Sequence, residues 1–214
     1  MPASTAVSAE HTSRDKILDA AEALFAKRGY AAVGLRELAE VVGLGKSSLF
    51  HHFRNKAQLY AAVNARILVR IEARLVRSLA AGGDPVVRLE RWLDDIVDLL
   101  AENPTYARVL LRSLFEDDDL PGDLPEEIEG RRALDGIMTS VGALLREGMG
   151  AGLFRAAHVS HLLLTLIGLT VFPFASGEFG TEVLGKDLFD AAEVRRRKRE
   201  VRELLRYGLV AQGG

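Results

Sequence analysis

Residues 35–56 read LRELAEVVGLGKSSLFHHFRNK. Leu35, Leu38, Ala39 and Val42 fall at i, i+3, i+4 and i+7, one face of a short amphipathic helix. Gly43 follows the last apolar position, where a residue in the left-handed conformation closes a helix at little steric cost. Leu44 is apolar inside the turn and is expected to plug the space between two helices. A second short helix begins after Gly45, with Leu49 and Phe53, four apart, pointing inward. Lys46, Ser47, Phe50, His51 and Arg54 then share its opposite face. Two helices of about two turns each, joined by a short glycine-bearing turn, make a helix-turn-helix. The same spacing also fits an ordinary packed hairpin with a solvated outer face.

The outer face of the second helix suits a DNA groove. It carries a lysine, small hydroxyl residues and two histidines, and no acid. Ser47 and Ser48 are short, so the helix backbone can approach phosphates and base edges, and serine can hydrogen-bond either. Lys46, Ser47, Ser48, Phe50 and His51 are expected to face the major groove. Arg36, near the start of the preceding helix, is placed to read a guanine edge or hold a phosphate, with His52 and Lys56 as further phosphate contacts.

The wording of the stretch adds to its spacing. GYAAVGLRELAEVVGLGKSSLFHHFRNKAQL resembles the DNA-binding end of the tetracycline-repressor (TetR) family of bacterial regulators. The residues that carry the resemblance are Gly29-Tyr30, Leu38-Ala39, Gly43-Leu44, Leu49, Phe50, His52, Phe53 and Lys56. Two departures stand out. Gly45 replaces the family's usual serine or threonine, which removes a side-chain cap at a cost of only a few tenths of a kcal/mol. Phe50 replaces the usual tyrosine, so a phosphate-contacting hydroxyl is missing, although a phenyl ring can touch a thymine methyl.

The resemblance implies a homodimer on a palindromic double-stranded DNA operator, acting as a transcriptional regulator, a repressor by preference. A small-molecule effector, largely apolar, would bind in the larger helical part and release the DNA. Trp92, Tyr106, Phe115, Met138, Phe154 and Phe172 are the candidates to line its pocket; residue by residue, each also reads as plain core.

Composition is compatible with this and excludes other classes. Net charge is −2, but it is unevenly spread: residues 1–56 carry eight Lys/Arg against six Asp/Glu (+2), and the rest twenty against twenty-four (−4). The sign is the one expected if the N-terminal end meets phosphate. The absence of cysteine excludes disulfides and thiolate metal sites. The N-terminus shows no signal-peptide core. The longest apolar run, Leu162 to Ala175, is fourteen residues interrupted by Thr165, Gly168, Thr170 and Pro173, too short to span a bilayer. A cytoplasmic protein with no cofactor and no membrane partner is expected.

Elsewhere the pattern is helical throughout, about nine helices in an all-α fold. Residues 1–11 read as a disordered arm and 12–56 as a three-helix DNA-binding domain whose first helix is capped by Thr12. Residues 57–214 read as a larger helical ligand-binding and dimerisation domain. A long helix over 57–81 would link the two without a flexible joint. Asp84 and Pro85 start the next helix, over 86–102. Further helices are expected over 105–116, 126–149, 158–172 and 188–209, with Ile128 and Leu134 inward in the second of these. Gly177 to Gly185 reads as a loop. The segment 158–172 is apolar almost all round and must be covered on more than one side. With the last helix it forms the expected dimer face, Leu166 near its middle.

Three other constellations read as ordinary surface. His158 and His161 lie three apart without a further ligand. Glu116 to Asp119 lacks the alternation of a Ca²⁺ loop. The run Arg195 to Arg199 spreads around a helix, as a solvated face or a partner of acids across the dimer. No phosphate loop, catalytic triad or metal-catalytic motif is present, so an enzyme is not expected.

Overall fold

A computed structural model describes residues 13–115 and 120–211. The arm over 1–11, the Thr12 cap and the acidic run Glu116 to Asp119 lie outside the described residues. Among those described there are ten helices: α1 Ser13–Arg28, α2 Leu35–Val42, α3 Lys46–His52, α4 Lys56–Ala80, α5 Pro85–Glu102, α6 Tyr106–Phe115, α7 Pro125–Gly150, α8 Val159–Ala175, α9 Glu178–Leu184 and α10 Ala191–Gly208. The fold is all-α, with a small N-terminal bundle joined to a larger one.

α4 is the shared beam. Its N-terminal half packs against α1, and its length lies along α7 and α5. The tightest approach is to α7, where Gly130 sits on the backbone of Ala65: a Cβ on Gly130 would lie 3.4 Å from the Ala65 Cα. The buried stripe of α7 therefore begins with the small residues Gly130 and Ala133 and continues through Ile137, Val141 and Leu144. Ile128 and Leu134, read from the sequence as inward, are exposed instead. A hydropathy pattern favours bulk, whereas close helix packing selects the residues that let backbones meet.

Two further differences have local causes. The segment between Gly177 and Gly185 is a helix, α9, where the sequence suggested a loop. Both flanking glycines adopt positive φ, 61° and 64°, so they bracket the helix rather than break it. Gly180 inside it is explained by crowding, since a Cβ there would strike the Ser176 hydroxyl. In α8, Pro173 does not end the helix, which runs on to Ala175. Proline cannot donate to the carbonyl four residues back, which here is Leu169. Arg197 of α10 donates to that carbonyl instead.

The basic run of α10 is mostly engaged within its own chain. Lys198 pairs with Asp98, Arg202 with Asp94 (3.0 Å) and Arg206 with Glu90 (2.6 Å). These residues recur every four on each helix, so the pairs form an antiparallel ladder between α10 and α5. The turn after α7 is held from two sides. The Phe154 ring lies on Gly148, where a Cβ would collide with it. The backbone of the turn pairs with the C-terminal segment through Arg155 N–H to Leu209 O (2.8 Å) and Ala211 N–H to Leu153 O (2.9 Å). Among the described residues no single helix is long and apolar enough to cross a membrane.

Candidate nucleic-acid interface

The turn between α2 and α3 forms by backbone geometry. Gly43 is left-handed at φ 71°. Its N–H bonds to Glu40 O (3.2 Å), and the N–H of Leu44 reaches Ala39 O (3.0 Å). This double closure is a Schellman motif, which leaves few orphaned carbonyls at the end of α2. Leu44 then packs part-buried against the core. Gly45 caps α3 in an extended conformation with no side-chain bond, as the missing hydroxyl implied.

Leu49 and Phe53 are fully buried beneath α3, and the Arg14 guanidinium lies over the Phe53 ring at 5.2 Å. With those two residues turned inward, helical periodicity sends Ser47, Phe50 and His51 outward, and all three are exposed. Ser48 and His52 are half-covered, and the rings of His51 and His52 meet edge to face at 5.6 Å. Lys46 opens the helix; its side chain lies outside the described part. Arg36 projects from α2 with its side chain 89% exposed, paired with Glu40 at 3.4 Å. An exposed pair of this kind is worth a fraction of a kcal/mol, so the guanidinium is easily redirected.

Lys56 is placed differently from the rest. Its ammonium donates to Tyr30 O (2.9 Å) and Ala31 O (3.3 Å) and stands 4.2 Å from the Tyr30 ring centre. It therefore braces the corner after α1. The tyrosine it covers belongs to a cluster with Phe25 and Tyr60, centroids 4.9 to 6.4 Å apart. Asn55, which sequence reading passed over, caps α4 by accepting from Gln58 N–H at 2.8 Å. The signal for it was present, an Asn one position before a helical run.

A polar joint ties this end to the larger bundle. Arg66 of α4 donates to Asp19 (2.7 Å) and Glu22 (2.5 Å) of α1, and Glu22 also accepts from the Thr105 hydroxyl just before α6. Burial lowers the pKa of Arg66, but its bonds to Asp19 and Glu22 outweigh that and raise it overall. One turn along α4, Arg70 donates to the Tyr106 hydroxyl. Burial raises the Tyr106 pKa, with Arg70 opposing.

The six residues suggested for an effector pocket differ in burial. Trp92, Tyr106 and Phe154 are core, Met138 is half-buried, and Phe115 and Phe172 are 80% and 52% exposed. A cleft of about 520 Å³ lies elsewhere, between the end of α1, one face of α6 and the turn from α8 to α9. Leu166 is 3% exposed and belongs to the protomer's own core, so it cannot sit at the centre of a dimer face.

Residues 17–63 match the model of the bacterial regulatory proteins of the tetR family. Over that N-terminal segment the chain is similar to the DNA-binding part of the TetR family. Among curated relatives, the HTH-type transcriptional repressor KstR of Mycolicibacterium smegmatis is 31% identical over 54% of this chain and 57% of its own length. The repressor NemR of Escherichia coli is 28% identical over 67% and 70%, and the activator FasR of M. smegmatis 30% over 49% and 46%. The chain spans about half the length of the first curated relatives it matches, 46% to 57%. In solved structures the likeness extends over the whole fold. KstR2 of Mycobacterium tuberculosis superposes with a TM-score of 0.76 at 17% identity, over 94% of this chain and 96% of that one. PfmR of Thermus thermophilus gives 0.74 at 22%, over 95% and 99%.

Proposed function

We propose that this chain is a ligand-responsive, homodimeric transcriptional regulator of the TetR family, with residues 12–56 as its DNA-binding domain and 57–214 as its effector-binding and dimerisation domain. The observation that carries the reading is the outer face of α3. Ser47, Phe50 and His51 are exposed on a helix that has no acid and is held rigidly from beneath by Leu49 and Phe53. Such a face can lie in a major groove, with Arg36, Lys46, Ser48 and His52 around it. Lys56 holds two carbonyls with its ammonium, which leaves one N–H for a phosphate.

A dimer supplies two such faces at a fixed spacing, which a palindromic operator requires. The surface that supports a dimer is the apolar residue set left open on the last helices. Leu164 and Phe172 of α8 are 68% and 52% exposed, and Leu204 and Tyr207 of α10 are 57% and 72% exposed. Effector binding would favour one arrangement of the larger bundle and so shift the population. α4, clamped to α1 by Arg66, would carry the change to the spacing of the recognition helices. Repression is the preferred sign, since KstR and NemR are repressors.

The test is a mobility shift on the DNA flanking the coding region, with the salt dependence measured. A specific complex, weakening steeply with salt, is expected; binding no tighter than to unrelated DNA would end the reading. Sedimentation of Leu164→Asp should show monomers, and intact dimers would move the interface off α8.

A further inference from the structure

We propose that the cleft between α1, α6 and the α8–α9 turn is a binding site for a small amphipathic anion, a carboxylate or phosphate carried on an apolar chain. Among the described residues that line it, Lys27, Arg108 and Arg112 stand with one acid, Glu178. Leu111 and the exposed ring of Phe179 supply an apolar wall beside those charges. At about 520 Å³ its size is that of a small-molecule site.

The cations of this cleft differ from those of the helix-packing ion pairs. Arg66, Arg74, Arg88, Arg202 and Arg206 each rest on a carboxylate. Arg112 likewise has a partner. Lys27 and Arg108 make no hydrogen bond or ion pair among the described residues. Arg108 reaches the α8–α9 turn. Its guanidinium lies against Gly177, at φ 61° and ψ −126°, where a Cβ would collide with it. Glycine at this turn both adopts the strained conformation and leaves room for the guanidinium. A planar guanidinium with no carboxylate partner among the described residues is suited to receive one, or a phosphate, from a ligand.

The cleft spans elements on both sides of the Arg66 joint, α1 on one and α6 with the α8–α9 turn on the other. A ligand touching both would be sensitive to their relative position. That consequence rests on the regulator reading; the binding itself does not.

Isothermal titration of the full chain, without DNA, tests the site with decanoate, decyl phosphate, decanol and inorganic phosphate, each below its micellar concentration. Decanoate or decyl phosphate is expected to bind one per chain, more weakly as salt is added. The stronger of the two names the head group. Decanol and inorganic phosphate should each bind at least about tenfold more weakly, since each lacks half of the recognised chemistry. Arg108→Gln should weaken the anion by about tenfold or more with its melting temperature retained. If that variant does not fold, Lys27→Gln carries the same expectation. Decanol binding as tightly as decanoate, no anion binding at all, or unchanged affinity in a folded variant would each overturn the site. Failure here leaves the mobility-shift result standing, and failure there leaves this titration standing.

Discussion

α3 and α10 both present positively charged or hydrogen-bonding side chains, and α10 is by far the more basic. Yet α10 is the poorer candidate for nucleic acid. Three of its cations are already matched to Asp98, Asp94 and Glu90 of α5, and a fourth, Arg197, donates to the carbonyl that Pro173 leaves free. Of the last, burial lowers the pKa, with Glu200 opposing, as expected of a cation placed for structure. α3 carries less charge but contains no acid, and its outward residues are exposed. The number of cations on a helix says little about its partner; whether a carboxylate already stands opposite them says much more.

Four substitutions would sharpen or break that contrast. The largest effect is expected for Ser47→Glu, which should lower DNA affinity by about a hundredfold or more in a mobility shift by setting like charge against phosphate. An acid in the first turn of a helix favours its dipole, so melting should hardly move; retained binding would take α3 out of the groove. Next is Arg66→Leu, which leaves Glu22 buried without its cation. About 3 kcal/mol of stability should be lost in urea unfolding. Adding Glu22→Leu should recover most of it, and no recovery would mean that the joint is not a paired-charge effect.

Lys56→Ala is expected to cost about 1 to 2 kcal/mol, from two bonds to an ammonium and one ring contact, all partly exposed. The salt slope of DNA binding should stay where it was. A slope flatter by about one unit would return Lys56 to the phosphate contacts. The smallest effect belongs to Arg202→Gln in the α5–α10 ladder. Operator affinity should be unchanged and stability should drop by at most about 1 kcal/mol, since the pair is partly exposed. A clear loss of DNA binding would show that α10 does what its charge alone suggests.

The helix-turn-helix was legible because every signal in it is local. Gly43 needs a left-handed conformation, Leu49 and Phe53 need one side, and periodicity then sends Ser47 and His51 to the other. Arg36 and Phe50, both exposed, follow from the same arithmetic. The bracing contacts of Lys56 were not legible because its partners, Tyr30 O and Ala31 O, are backbone atoms some twenty-five residues away, and backbone carbonyls leave no mark in side-chain pattern. The burial of the suggested effector aromatics was hidden for a related reason. An aromatic residue reads alike whether it fills a core, as Tyr106 does, or faces outward, as Phe115 does.

By itself the chain's order of residues determined the all-α class, the positions of nearly all the helices, the glycine turn and the outward face of α3. These depend on dihedral preference and periodicity, which act over a few residues. Only the tertiary structure decided which charges are matched, which apolar residues remain open on α8 and α10, and that Lys27 and Arg108 meet across a cleft. Those outcomes depend on contacts between segments far apart in the chain, where distance in space and not spacing in sequence sets the energy.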